Sequence, residues 1–219
     1  MISTLILLTY FTAYFEADIN SQIQSKCRYE NLSEKFIYEL STKKNKEDNR
    51  VVITDLYITI INKSNSKVIQ TIHRFGEDVT NLFEETFTNS NASRSYLPGF
   101  KKNTRVSDED NEDGDIIVVD FNFDGKEDFA VKKDIGRALM YDFYYQNNEN
   151  KFVLDTYLSK HHSGMFPKFD FVKKSIIYAG FTGVDGWWKN YYNYNSKSNK
   201  WVLVKSETGK FKINQRVNN

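Results

Sequence analysis

The sequence predicts an all-β fold of antiparallel hairpins, arranged as a β-propeller-like domain or a β-sandwich. Three observations predict it. Over most of the chain, aromatic and β-branched residues alternate with polar ones, and the runs break at Asn, Ser, Lys and Gly clusters, which is the pattern of strands and hairpins. A second hairpin pattern repeats at a period of 49 residues: Tyr141–Leu154 (YDFYYQNNENKFVL) aligns with Asn190–Leu203 (NYYNYNSKSNKWVL). Hairpins recurring every ~40–50 residues are the period of propeller blades. Only one stretch, 78–87, carries helical spacing.

Composition sets the outer bounds. The chain has 219 residues, enough for one large all-β domain. The 16% aromatic share excludes wholesale disorder, and a mean hydropathy of −0.60 excludes a polytopic membrane protein. Thirty Lys and Arg stand against 29 Asp and Glu, a net +1 that argues against a generic nucleic-acid binder.

At the N-terminus, Ile2–Phe15 is an uncharged apolar run too short to span a bilayer of about 30 Å. It suits the apolar core of a signal peptide over residues 1–17, with the mature chain starting near Asp18 and no membrane span in it. Periplasmic or secreted location is the expectation. Two features stand against it, the missing basic residues before the run and bulky Phe15 three places before the cut; the alternative is a buried first strand or helix. The single cysteine, Cys27, rules out an intrachain disulfide, and the Lys26 before it does not fit a lipoprotein anchor. Residues 18–219 are expected to form one all-β domain.

The first predicted strand holds Phe36, Ile37, Tyr38 and Leu40, followed by a charged turn. Val52, Leu56, Ile58 and Ile60 share a face of a longer strand, which turns at Asn62–Ser66 and returns through Val68 and Ile72. In 78–87, Val79, Leu82, Phe83 and Phe87 fall at helical spacing behind Asp78 as a cap, so one short helix is predicted there. Residues 89–115 read as loop, ending in Asp108–Asp115 with six acids in eight positions. That run reads as a solvated acidic loop, with a second, weaker cation site as the alternative.

The sharpest feature follows: Asp120-Phe-Asn122-Phe-Asp124-Gly125-Lys126-Glu-Asp128. Calcium is a hard cation that takes six to eight oxygens at about 2.3–2.6 Å. Side-chain oxygens at loop positions 1, 3 and 5 converge on one ion when the backbone wraps tightly, and Gly125 permits the bend. Lys126 offers its carbonyl, and Asp128 closes the shell. An EF-hand requires a bidentate Glu at position 12, where this chain has Val131. The flanks, Ile116–Val119 and Phe129–Val131, read as strands, so a calcium loop in a β-hairpin is the expectation. Three carboxylates about 5 Å apart repel by roughly 1–2 kcal/mol per pair without an ion, which argues against a merely solvated Asp/Asn/Gly turn.

The run IIVVDFNFDGKEDFAV resembles the calcium loops of FG-GAP repeats, the integrin-α-like propeller blades. Residues 112–205 resemble a small family of exported bacterial proteins with a D-x-NFDG-x-x-D loop, a later Gly, a Tyr-rich strand, an Asn-Lys-Phe turn and a terminal aromatic hairpin. Members look like type I lysozyme inhibitors in fold, and some act as periplasmic immunity proteins that block peptidoglycan hydrolases in a calcium-dependent way. The resemblance implies Ca²⁺ as cofactor, Asp120, Asn122, Asp124, Lys126 (carbonyl) and Asp128 as ligands, and a peptidoglycan hydrolase or lysozyme-like protein as partner. It carries over no inhibitory residue, and it does not reach the N-terminal 90 residues.

Further along, His161-His162 read as an exposed turn. Gly180–Trp188 is a Gly-spaced loop running into paired tryptophans. Strand alternation places Trp188, Tyr192 and Tyr194 on one face and Trp187 and Tyr191 on the other. Trp187, Trp188 and Tyr191 are the candidate partner-binding residues. No Gly-rich phosphate loop, G-x-S-x-G elbow or H-E-x-x-H appears, so the expectation is a binding protein and not an enzyme. The alternative function is a surface adhesion or glycan-binding module of the FG-GAP type. Charge is unevenly spread: residues 108–128 carry a net −9, whereas 189–219 carry a net +6, a polarity suited to steering a cationic partner.

Overall fold

A computed structural model describes residues 23–47, 50–76, 79, 93–98, 115–134, 140–161, 166–183 and 185–210. Among them the protein is all-β with one short helix, in three open sheets. The first sheet is an antiparallel meander of β1 (Ile23–Tyr29), β2 (Phe36–Glu47), β3 (Arg50–Asn62) and β4 (Val68–Phe75). The central sheet orders β5 (Arg94–Ser95), β6 (Ile116–Val119), β7 (Asp128–Asp134), β8 (Met140–Gln146) and β9 (Phe152–Leu154), with β5 parallel to β6 and the rest antiparallel. After α1 (Thr156–His161), the last sheet is a second antiparallel meander: β10 (Lys168–Asp170), β11 (Ser175–Thr182), β12 (Gly186–Asn195) and β13 (Lys200–Lys210).

The central sheet is covered on both faces, which explains why β6 is an unbroken apolar run while most other strands alternate. All four residues of β6 are buried. Ile116 and Val118 join Phe129 and Val131 of β7 in a core with Tyr38, Leu40, Leu56, Ile58 and Ile60 of the first sheet. Ile117, Val119 and Ala130 face the other way, into a core with Phe143, Leu158, Ile176, Tyr178, Tyr192 and Trp201. A strand buried on both faces has no position for a polar side chain, so its period of two disappears.

The repeated segments are both hairpins. Tyr141–Leu154 spans β8 and β9, and Asn190–Leu203 spans β12 and β13. Asn150 and Asn199, equivalent in the alignment, both take the left-handed backbone at φ 58° and 50°, a conformation asparagine tolerates better than most residues. The following aromatics, Phe152 and Trp201, are both buried, one in each core. The registers differ by one: Gln146 pairs with Phe152, whereas Tyr194 pairs with Trp201. The first turn has five residues between its strands and the second four, which accounts for the slip.

Two departures from the expected elements have local causes. The segment Thr156–His161 forms α1, where no helix was expected. Asp155 caps it, its Oδ1 accepting the N–H groups of Tyr157 (3.0 Å) and Leu158 (2.9 Å), and six residues are too few for a helical period to show. His161 therefore closes a helix and does not sit in a turn. Strand β5, inside the stretch read as loop, is two residues long and owes its form to pairing with β6. The helix expected over 78–87 lies outside the described residues, apart from buried Val79. The expected signal peptide, 1–17, and the acidic run up to residue 114 also lie outside them. No helix among the described residues is long and apolar enough to cross a membrane.

Besides sharing a core, the first and central sheets are bridged at their edges, between β4 and β9. Gln70 of β4 accepts the Phe152 N–H at Oε1 (2.8 Å) and donates from Nε2 to the Phe152 carbonyl (3.0 Å). Beside it, the Lys151 ammonium donates to the Ile69 carbonyl at 2.6 Å. The amide thus pairs with the free edge of β9 as another strand would. Gln70→Ala leaves that N–H and C=O without their partner, so a loss of about 1–3 kcal/mol is expected, read as a lowered urea midpoint. An unchanged midpoint would show that the bridge contributes nothing.

Candidate metal centre

The loop joining β6 to β7 starts and ends on the most buried strands of the protein, so its two ends are held rigidly. Between them, short side chains fold back onto the loop's own backbone. Asp120 accepts the N–H groups of Asp124 at Oδ1 (3.1 Å) and of Gly125 at Oδ2 (2.9 Å). Asn122 Oδ1 accepts the Asp124 N–H at 3.1 Å, and Asp124 Oδ1 accepts that of Lys126 at 2.9 Å. This wrapping needs left-handed backbone at Phe123 (φ 60°) and Gly125 (φ 86°). Glycine adopts it freely; Phe123 does so at a cost of order 1 kcal/mol and sets its ring edge-on to Phe171 at 5.7 Å.

Asp128 closes the loop from below and is fully buried. Its Oδ2 accepts the Phe121 N–H (3.2 Å) and its Oδ1 that of Gln146 (2.8 Å). Burial pushes its carboxyl well above the ordinary range; the Gln146 N–H pulls it back, and the charges of Asp120 and Asp124 push it further up. Burial likewise raises Asp120, opposed by the Gly125 N–H and reinforced by Asp124. Elsewhere in the central sheet, buried carboxylates have cations against them: Lys132 reaches Asp115 at 3.2 Å, and Arg74 reaches Asp142 at 3.1 Å. No Lys or Arg forms an ion pair with Asp128 among the described residues.

The donor set fits a hard divalent cation. Every expected ligand, Asp120, Asn122, Asp124, the Lys126 carbonyl and Asp128, offers oxygen, and each carboxylate oxygen keeps lone pairs beyond the N–H it already accepts. Among the described residues, no three His, Cys, Asp or Glu side chains converge on one point, because the carboxylates of Asp120 and Asp124 turn onto the loop's own N–H groups. The Lys126 side chain also lies over the loop, with its ammonium 3.7 Å from Asp124 Oδ2 and 2.7 Å from Asn148 Oδ1. A cation bound here would add charge neutralisation beyond that of the Lys126 ammonium beside Asp124.

Glu127, which the sequence reading did not single out, ties the loop to the first sheet. It is buried, accepts the Ser33 hydroxyl at Oε2, and lies 3.8 Å from the Lys35 ammonium. Ser33 Oγ in turn accepts the N–H groups of Lys35 and Phe36, both at 2.9 Å. A buried acid at loop position 8 is invisible in sequence because Ser33 is 94 residues away.

The candidate partner residues divide between two faces. Trp188 turns inward against the second core and lies over Gly180, where a Cβ would come within 2.7 Å of its ring. Trp187 and Tyr191 lie on the outer face of the last sheet, with Lys189 5.5 Å above the Trp187 ring and Lys205 5.3 Å from that of Tyr191. The Tyr191 hydroxyl donates to Glu207 at 2.8 Å. The alternation expected in β12 holds because the bulge opposite Tyr191 and Tyr192 inserts its extra residue, Val204, in β13. Trp187 and Tyr191 therefore form a surface that Trp188 does not share.

The Lys126 ammonium opposes an incoming cation electrostatically. Lys126→Gln keeps the backbone carbonyl and removes that charge, so calcium should bind about three- to tenfold more tightly, corresponding to roughly 1 kcal/mol. Calorimetric titration checks it, and equal or weaker affinity would contradict this placement of the side chain.

The chain matches no protein-family profile, and no curated protein matches it significantly in sequence. The solved structure of a Xanthomonas Type IV Secretion System related protein shares the fold, with a TM-score of 0.52 over 85% of this chain and 88% of that one, at 15% identity.

Proposed function

We infer that the protein is exported, holds one calcium ion in the β6–β7 loop, and acts by binding and blocking a peptidoglycan hydrolase of the lysozyme type. The observation that carries the reading is the loop itself: an all-oxygen D-x-N-x-D-G-x-x-D turn on a rigid hairpin, above a buried Asp128 that pairs with no cationic side chain among the described residues. The loop motif and the resemblance of residues 112–205 to calcium-dependent immunity proteins supply the partner class. Sharing a fold with a secretion-system related protein is in keeping with a role at the cell envelope. A four-stranded meander flanks the β6–β7 hairpin on either side; the propeller part of the reading rests on the FG-GAP resemblance. No covalent step belongs to this reading; calcium fixes the loop that frames the contact surface, and the acidic segment 108–128 steers a cationic partner toward it.

A second reading, a surface adhesion or glycan-binding module, is favoured by the aromatic and cationic outer face formed by Trp187, Tyr191, Lys189 and Lys205. One assay separates the two. The inhibitor reading predicts a stoichiometric complex with lysozyme, or with an exported muramidase or amidase encoded beside this protein, that halts cell-wall lysis in calcium and dissociates in chelator. Full hydrolase activity at excess protein in calcium would overturn it.

A further inference from the structure

A cleft of about 410 Å³ opens where the central and last sheets meet. One wall comes from β8, β9 and the start of α1, and the other from the turn between β12 and β13. Its walls are rings with polar tips: Tyr145 and Tyr157 on one side, Tyr194 on the other, and Trp201 at the base. Asn199 and Lys200 stand exposed at the rim. All three tyrosines are half-buried.

The base is built before any ligand arrives. Trp201 donates from Nε1 to Asp155 Oδ2 at 2.7 Å, while Asp155 Oδ1 caps α1. Ser159 of the same helix accepts the Phe143 N–H at 3.0 Å, pinning α1 to β8. The Tyr194 ring leans on Trp201 with centroids 5.1 Å apart, and its hydroxyl reaches Asn199 Oδ1 at 3.4 Å. Asp155 is thereby fixed as the anchor of both the helix and the indole, and the base of the cleft is rigid.

The lining selects a ligand class. Its volume lies in the range of small-molecule sites, roughly 300–1,000 Å³. Phenol rings offer an apolar face and a hydrogen-bonding tip, and a sugar ring has the matching pattern: C–H bonds on its faces and hydroxyls around its edge. A fatty chain makes no use of the exposed polar rim at Asn199 and Lys200, and a phosphate finds a single exposed lysine there instead of a cationic nest. We propose that this cleft binds a pyranose unit of a neutral or N-acetylated glycan, with Tyr145, Tyr157 and Tyr194 against the ring and Asn199 and Lys200 on its hydroxyls. The site rests on the cleft alone, so it and the hydrolase reading can fail separately. It is also distinct from the outer face carrying Trp187 and Tyr191.

The test is a titration of the full ¹⁵N-labelled chain with N,N′-diacetylchitobiose, cellobiose and maltose, following the three tryptophan indole N–H resonances. Binding near 1 mM, about 4 kcal/mol, should move the Trp201 signal saturably for at least one sugar and leave that of Trp187 still. Tyr194→Ala should weaken that binding at least tenfold, with Val172→Ala, at an exposed position away from the cleft, unchanged as the folded control. No saturable Trp201 shift with any of the three sugars, or equal binding by Tyr194→Ala, would overturn the proposal. A cleft that instead receives a partner protein's side chain would give the first of these results.

Discussion

The hairpin of β6 and β7 must bury both of its faces, and most of the molecule follows from that constraint. Ile116, Val118, Phe129 and Val131 need a cover on one side, Ile117, Val119 and Ala130 on the other. The first sheet supplies one cover and the last sheet the second. Each fully buried aliphatic or aromatic side chain contributes roughly 1.5–3 kcal/mol, so the hairpin is among the most firmly held parts of the chain. The Asp120–Asp128 loop is the connection between its strands, and it inherits that rigidity at both ends.

The loop also places charge where the fold tolerates it least. Buried carboxylates in the central sheet have compensation of one kind or another: Asp115 has Lys132, Asp142 has Arg74, and Asp155 has two helix N–H groups and the Trp201 indole. Asp128 has backbone N–H groups, those of Phe121 and Gln146 among them, no Lys or Arg ion pair among the described residues, and two neighbouring aspartates that repel it. The Phe121 and Gln146 N–H groups account for the position of the Asp128 carboxylate but leave its repulsion from Asp120 and Asp124 without compensation. A divalent cation would supply that compensation, as the proposed function requires, and Glu127, held by Ser33, couples the same loop to the first sheet.

Local pattern made the strands legible. Phe36–Leu40, Val52–Ile60, Val68–Ile72, Ile116–Val119 and Phe129–Val131 all fall within strands because alternation or a bounded apolar run is a property of neighbouring residues. Alternation also sorted Trp187 and Tyr191 from Trp188, Tyr192 and Tyr194. The resemblance of the two Asn-Lys-aromatic turns proved to be a shared backbone conformation at Asn150 and Asn199. What could not be read depends on contacts distant in sequence. Gln70 bridges to a strand 82 residues on, Ser33 to an acid 94 residues on, and Asp155 to an indole 46 residues on. Strand β1 was missed because Ser25, Lys26 and Arg28 dilute its pattern, and its form comes from pairing with β2.

Calcium titration of the wild-type chain beside Asp124→Ala, read by calorimetry and by melting temperature, tests the central claim most directly. The account predicts one ion per wild-type chain with a rise in melting temperature, and neither in Asp124→Ala, whose substitution removes a carboxylate at loop position 5 without touching either core. A wild-type protein indifferent to calcium, or a melting shift of equal size in the variant, would contradict it.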